Sequence, residues 1–193
     1  LIHAGSFSYS HPRRSPKVLF DALERLMQED AQWDKRLNVV LVGLLSEQEA
    51  AWADPLVRRG IVQVEGVVER DRALEIQESA HVLLVVDHIR PWVSTNVPSK
   101  FYEYLAQGRT ILSLGGSGAV GRIVTELQAG MHVPGDDTDA VCAALKSLCN
   151  AHERGTLPVG VSEEALRPFH RRSLTHALAE CFDSVIQQAV PCK

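Results

Sequence analysis

The sequence has 193 residues, of which 45% are hydrophobic and 23% are charged, and this composition excludes a disordered, collagen-like or coiled-coil chain. Lys and Arg number 20 against 24 Asp and Glu, for a formal net charge of -4, which argues against a nucleic-acid-binding domain with its usual basic surplus. No apolar run reaches the length of a membrane-spanning helix. The length fits one domain with at most a short appendage. Because the chain begins with Leu1 rather than Met, we expect a piece of a longer protein.

The cysteines and histidines form no recognisable framework. The four cysteines include no Cys-x-x-Cys pair, and the eight histidines include no His-Glu-x-x-His pattern. A chain of this size builds a hydrophobic core without disulfides. We therefore predict reduced thiols and no metal site.

The first strand pattern is the short apolar run at residues 1–4, which ends at Gly5. A helix follows a polar loop, and Ser15 is predicted to be its N-cap. Residues 38–43 form a continuous apolar run, which is typical of a strand buried on both faces. Residues 46–49 read Ser-Glu-Gln-Glu, a capping box that predicts the start of the next helix.

Further strand and helix patterns alternate to about residue 150. Residues 61–68 are a third strand candidate, a helix is predicted with Asp71 as its N-cap, and residues 82–86 are another apolar strand. The remaining predicted elements are helix 98–107, strand 110–114, helix 121–128, a short strand at 132–133, helix 137–151 and two helical segments that reach about residue 186.

This alternation predicts a doubly wound α/β fold, with a Rossmann-like parallel sheet of about six strands and extra C-terminal helices. We expect residues 1–150 to form the sheet domain, and residues 151–193 to form a linker and helices that pack on it. Ligands of such sheets bind in the crevice at the carboxyl ends of the strands.

The loops after the strands therefore hold the candidate site. Helix N-termini that point into this crevice bind phosphate through free N–H groups. Arg13 and Arg14, just before the first helix, would add charge-assisted hydrogen bonds to a diphosphate. The alternative is that both arginines are solvated loop residues.

A family resemblance rests on residues 97–112, which read VPSKFYEYLAQGRTIL. This segment resembles the donor-binding helix of group 1 (family 4) glycosyltransferases of the GT-B fold. The order of the flanking features is also similar to the C-terminal domain of that family: strands that end in Gly5 and Gly43, the arginine pair between them, and a later Val-Pro-Gly-Asp at residues 133–136. The resemblance extends over about residues 1–150.

The resemblance implies a role for several residues. It assigns Glu103 to the ribose hydroxyls, which a carboxylate can accept together, and it assigns Arg14 to the diphosphate in place of a lysine. The implied diphosphate-binding residues are Gly5, Ser6, Arg13, Arg14, Ser99 and Lys100. The residues implied near the nucleobase are Gly66, Val67 and Val68, and those near the donor sugar are Thr95 and Asn96.

The resemblance also implies a function for the whole protein. The chain would be the donor half of an enzyme that transfers a hexosyl group from a UDP- or GDP-sugar to a glycan or glycolipid, for cell-surface polysaccharide assembly. Neither a metal nor a cofactor is implied, and the implied location is cytoplasmic, peripheral at the inner face of the membrane. No residue is assigned to catalysis. Without an N-terminal acceptor domain, this piece is expected to be inactive by itself.

Two residues depart from the family pattern, and two other functions stay open. Thr95 stands where many relatives carry a second glutamate, and Ser6 stands where they carry an arginine. These losses fit a non-catalytic α/β interaction module. Residues 116–121 match Gly-x-Gly-x-x-Gly, with Asp136 downstream, which would fit an NAD(P)-binding dehydrogenase domain.

Overall fold

A computed structural model of the chain describes residues 1–9, 14–158 and 160–189. Its strands are Ile2–Ala4 (β1), Val39–Val42 (β2), Val62–Gly66 (β3), Val82–Val86 (β4), Thr110–Gly115 (β5) and Gly130–Pro134 (β6). Its helices are Lys17–Glu29 (α1), Trp33–Arg36 (α2), Glu47–Arg58 (α3), Arg70–Glu78 (α4), Ser99–Ala106 (α5), Ala119–Glu126 (α6), Thr138–Glu153 (α7), Glu163–Leu166 (α8) and Arg171–Ala189 (α9), with a 3-10 turn at Arg167–Phe169.

The six strands form one parallel sheet in the order β3-β2-β1-β4-β5-β6. The predicted Rossmann-like α/β fold is therefore confirmed. Every residue of β4 and β5 is buried, as expected for strands that are covered on both faces. Because the order reverses after β3, right-handed connections place the helices of the two halves on opposite faces.

The core lies between the sheet and its helices, with α1 and α7 packed against each other. In α1, Leu19, Leu23 and Leu26 are fully buried because their spacing places them on one helical face. The structure separates a compact unit of residues 1–160 from a second unit of residues 161–193. The packing of the terminal helices on the sheet domain stays a prediction.

Several predicted helix starts are tested by the structure. The capping box at Ser46 and Glu49 is confirmed: the side chain of each accepts a hydrogen bond from the backbone N–H of the other. The N-cap of α4 is Glu69, so the prediction of Asp71 is wrong. The N-cap of α1 is Pro16 rather than Ser15, although the Ser15 hydroxyl accepts the N–H of Lys17 at 3.2 Å.

Among the described residues, no helix combines the length and the apolar character needed to cross a membrane.

The cysteines are expected to differ in reactivity toward a thiol reagent. Cys142 and Cys149 are free and buried, and burial raises the pKa of both thiols, whereas Cys181 is free and exposed. Because the thiolate is the reactive form, we expect Cys181 to be alkylated well before the other two in the folded protein. Timed iodoacetamide labelling with peptide mass spectrometry tests this, with the urea-unfolded chain as the control; equal labelling rates in the folded chain would contradict it.

Candidate functional site

The candidate site lies at the carboxyl edge of the sheet, between β1 and β4. The strand order reverses there, so the loop after β1 and the loop after β4 diverge and leave a crevice. The first loop leads to α1, and the second leads to α5. Both loops contain residues that the sequence predicts to bind a diphosphate.

Glycines end the first three strands and bring their backbones close together. The Gly5 N–H donates to the carbonyl of Val42 at 2.6 Å, and the Gly43 N–H donates to the carbonyl of Gly66 at 2.7 Å. A Cβ built on Gly43 would lie 2.9 Å from the carbonyl carbon of Gly5. Since Gly43 also has a φ of +129°, the position accepts little but glycine.

Arg14 lies buried beside this glycine edge. It is 6% exposed, and its Nη2 lies 3.8 Å from Asp87 Oδ1 at the end of β4. Asp87 Oδ1 also accepts the backbone N–H of His88 at 2.8 Å. Within the described part of the chain, the buried Nε of Arg14 has no hydrogen-bond partner, and a buried donor normally has one. Arg14 therefore has an unused donor that is buried beside Asp87.

Lys100 brings a second cation to the same place from the first turn of α5. Its Nζ would lie 2.8 Å from a Cβ built on Gly5, so the ammonium stands directly over that glycine. Burial and, to a lesser extent, the positive charge of Arg14 together lower the pKa of Lys100 to about 8. Two cations thus converge on a partly dry crevice, an arrangement that favours an anionic ligand.

Tyr104 fixes α5 to the first strand. Its hydroxyl oxygen accepts the N–H of Ala4 at 2.9 Å, and its side chain is fully buried. Burial raises the pKa of Tyr104 to about 12, although the hydrogen bond from Ala4 opposes this shift. The bond sets the distance between the β1 loop and the N-terminus of α5, which both face the crevice.

Glu103 lies one residue before Tyr104 and points toward the loop after β3. Its Oε1 accepts a hydrogen bond from Nη2 of Arg70 at 3.1 Å, and Arg70 is the first residue of α4. The Arg70 side chain is 75% exposed. The ion pair brings the carboxylate predicted to bind ribose close to the segment predicted to face the nucleobase.

The other predicted residues lie at the same edge of the sheet. Ser6 is half-buried after Gly5, and Ser99 is exposed at the first position of α5. Val67 is exposed, and Gly66 and Val68 are half-buried. Two further predicted residues, Thr95 and Asn96, are exposed in the loop after β4. Arg13 lies outside the described residues.

Sequence reasoning missed three residues that support this site: His3, Glu49 and Arg70. His3 is the middle residue of β1, and the polar side chain in a short apolar strand was the available signal. Glu49 accepts the N–H of Ser8 at 3.1 Å in addition to its capping bond, so it holds the loop after β1. No local pattern marks Arg70, because its partner is 33 residues away.

The glycine-rich loop at residues 116–121 is paired with the loop after β4. The N–H of Ser94 donates to the carbonyl of Ser117 at 3.1 Å, and the N–H of Ala119 donates to the carbonyl of Ser94 at 2.7 Å. Ala119 is the first residue of α6, so this N–H is not available to a pyrophosphate. The loop also follows β5, one strand away from the reversal of strand order. Both observations disfavour the NAD(P)-binding alternative.

Among the described residues, no group of three or more His, Cys, Asp or Glu side chains is placed to hold a metal ion.

No protein-family model and no curated protein sequence matches the chain. Solved structures do match. The glycosyltransferase from Rickettsia africae ESF-5 superposes with a TM-score of 0.67 at 16% identity, over 97% of this chain and 48% of that one. Sucrose-phosphate synthase from Thermosynechococcus elongatus superposes with a TM-score of 0.66 at 15% identity, over 97% of this chain and 46% of that one.

HepE from Anabaena, solved in complex with UDP, is also similar, with a TM-score of 0.65 at 16% identity over 95% of this chain and 48% of that one. The chain thus spans about half the length of the structures it matches. At these identities the likeness establishes a shared fold. That fold, found in one half of each of these proteins, is the one implied by the resemblance of residues 97–112.

Proposed function

We propose that this chain is the donor-binding half of a glycosyltransferase, which binds a nucleoside-diphosphate sugar in the crevice between β1 and β4. The observation that carries the proposal is the buried, unpartnered Nε of Arg14, which lies beside Lys100 at the edge of the sheet. HepE, one of the proteins that share the fold, was solved with UDP and also with UDP-glucose.

The charges of the crevice match a diphosphate. Asp87 offsets part of the charge of Arg14 at 3.8 Å, and the charge of Lys100 adds to the remainder. A diphosphate supplies the missing negative charge, and its oxygens accept hydrogen bonds from Arg14 Nε, Lys100 Nζ and the free N–H groups that begin α5. The same donors would stabilise the diphosphate as it leaves the sugar.

Glu103 and the turn after β3 fit the nucleoside. In the proposed complex, the carboxylate of Glu103 accepts hydrogen bonds from both ribose hydroxyls. The Gly66–Val68 turn offers backbone groups and the exposed Val67 side chain to the base. Contacts of this kind accommodate uracil or guanine.

The donor sugar would lie against the loop after β4. Thr95 and Asn96 are exposed there, and both are neutral donors and acceptors. A hexosyl group bound by these side chains would be held by hydrogen bonds without a carboxylate. We assign no catalytic residue.

A second domain would complete the enzyme by covering the same edge of the sheet. Large apolar side chains are exposed on the loops after β1, β2, β3 and β4: Tyr9, Leu44, Val67, Trp92 and Val93. Exposed apolar side chains gathered at one end of a domain mark an interaction surface. We propose that an acceptor-binding domain packs there and presents a glycan or glycolipid, and that this chain alone binds the donor without transferring the sugar.

Calorimetric titration with UDP, GDP and NAD, without added metal, tests the proposal together with a Glu103→Ala variant. One diphosphate is expected to bind, and the variant is expected to bind it about 10- to 100-fold more weakly, because hydrogen bonds to a charged group contribute about 1.5–3 kcal/mol. The matched control is Glu126→Ala, which removes an exposed carboxylate that is ion-paired with Arg122 on α6.

The other outcomes would contradict the proposal or show that the effect of the variant is not specific. Binding of NAD without either diphosphate would contradict the proposal and favour a dinucleotide site at residues 116–121. Failure of all three ligands to bind would favour a non-catalytic interaction module. An equal loss of affinity in Glu126→Ala would mean that the Glu103→Ala effect is not specific to the site.

A further inference from the structure

His3 lies beneath the proposed diphosphate site, in the middle of β1. Its side chain is fully buried. Its imidazole stacks on Phe7, with ring centroids 4.2 Å apart and an angle of 12° between the planes. Its Nδ1 lies 2.9 Å from the carbonyl oxygen of Leu84 in β4, and its Nε2 lies 3.4 Å from Nζ of Lys100. The ring is therefore held on one face and at both nitrogens.

These contacts determine the tautomer of His3. A carbonyl oxygen only accepts, so Nδ1 must carry the hydrogen that bonds to Leu84. Burial lowers the pKa of His3 well below its usual value, and Lys100 and Arg14 act in the same direction, against the carbonyls of Leu84 and Gly5. His3 is thus neutral, and its Nε2 lone pair accepts a hydrogen bond from the Lys100 ammonium.

The surroundings of Lys100 decide how strongly it depends on this acceptor. His3 faces it from β1, and Arg14 faces it from the loop before α1. Asp87, at the end of β4, is engaged with Arg14. On its own helix, Glu103 is paired with Arg70, and Tyr104 is bound to Ala4. The neutral imidazole is therefore a principal stabilising contact of the Lys100 ammonium.

We propose that His3 is a positioning residue for the diphosphate site, which holds the charged Lys100 amine over Gly5 and so couples nucleotide binding to proton uptake by that amine. The inference rests on the proposed function. Without nucleotide, the Lys100 amine has a pKa of about 8. A bound diphosphate favours the charged form of this amine and so raises its pKa. Affinity is then constant below about pH 8 and falls between the free and bound pKa values, by up to about tenfold per pH unit.

The first experiment measures Lys100 without any nucleotide. The rate of acylation of the Lys100 amine, followed by peptide mass spectrometry from pH 6.5 to 10, gives its titration midpoint. His3→Phe keeps the stacking on Phe7 but removes the acceptor, so the midpoint should move to lower pH. His3→Gln offers an amide oxygen in place of Nε2 and should restore the midpoint in part. His81→Phe, which removes an exposed histidine before β4, should leave it unchanged.

The second experiment measures binding of UDP or GDP at pH 7.5 and at pH 9, in two buffers with different heats of ionisation. The unsubstituted chain should take up close to one proton at pH 9 and little at pH 7.5. His3→Phe should bind about three- to tenfold more weakly at pH 7.5, because more of its Lys100 is uncharged before binding. His3→Gln should bind more tightly than His3→Phe.

The two experiments separate the two hypotheses. Identical acylation midpoints in the unsubstituted chain and the two His3 variants would overturn the role of His3. A shifted midpoint together with no binding of either diphosphate would instead contradict the proposed function. If His3→Phe does not fold, the acylation midpoints and nucleotide binding of the unsubstituted chain and His3→Gln are compared instead. Nucleotide binding without proton uptake at pH 9 would then overturn the inference.

Discussion

An Arg14→Gln variant is expected to bind the nucleoside diphosphate about 100-fold more weakly than the unsubstituted chain. The substitution removes a buried positive charge and the unpartnered Nε donor. The loss of this charge and of the charge-assisted hydrogen bond from Nε costs about 3 kcal/mol, which corresponds to about two orders of magnitude in affinity. Titration calorimetry at pH 7 measures this loss directly. The control is Arg58→Gln, which removes an exposed arginine that is ion-paired with Asp54 on α3.

The same variant should also be less stable, and a second substitution separates the two effects. Without Arg14, the carboxylate of Asp87 stays buried and loses its cation, which costs about 1–3 kcal/mol of unfolding free energy. Adding Asp87→Asn removes the unpaired charge, so the double variant should recover stability in urea unfolding without recovering affinity. An Arg14→Gln variant that binds the nucleotide as tightly as the unsubstituted chain would contradict the assignment of Arg14.

The alternation of strands and helices was predictable because it depends on patterns that are local in sequence. The apolar run at residues 82–86 coincides with strand β4. The capping box at Ser46 marked the start of α3. The start of α4 was mispredicted because Asp71 is a favourable N-cap by residue type, while the N-cap in the structure lies two residues earlier, at Glu69. The short helix α2 was not predicted, since its four residues carry too little periodicity to recognise.

The candidate site was predictable only in part, because only some of its features depend on patterns that are local in sequence. The rule that ligands bind at the carboxyl ends of parallel strands points to the loop that contains Arg14. Lys100 and Glu103 were instead implied by the family resemblance of residues 97–112. Their partners depend on contacts between distant segments: His3 lies 97 residues from Lys100, and Arg70 lies 33 residues from Glu103. Such pairs leave no periodic signal in one sequence. These contacts nevertheless influence the charge of Lys100 and the orientation of Glu103.

A Gly43→Ala variant is expected to be destabilised by about 3 kcal/mol or more and to lose nucleotide affinity as well. The φ of Gly43 is +129°, and its added Cβ would lie 2.9 Å from the carbonyl carbon of Gly5. The strained backbone costs about 1–3 kcal/mol, and the collision must then be relieved by a shift of Gly5. Because Lys100 Nζ lies directly over Gly5, such a shift disturbs the diphosphate site.

Gly60→Ala separates backbone strain from this collision. Gly60 has a φ of +77°, and a Cβ there would meet no atom within 4 Å, so its substitution should cost only about 1–2 kcal/mol and leave nucleotide affinity unchanged. Urea unfolding and calorimetric titration of both variants give the comparison. Equal destabilisation of Gly43→Ala and Gly60→Ala would mean that the loops after β1 and β2 can move apart to admit the added Cβ with no loss of stability. Unchanged affinity in Gly43→Ala would mean that the position of Gly5 does not determine how the diphosphate is held.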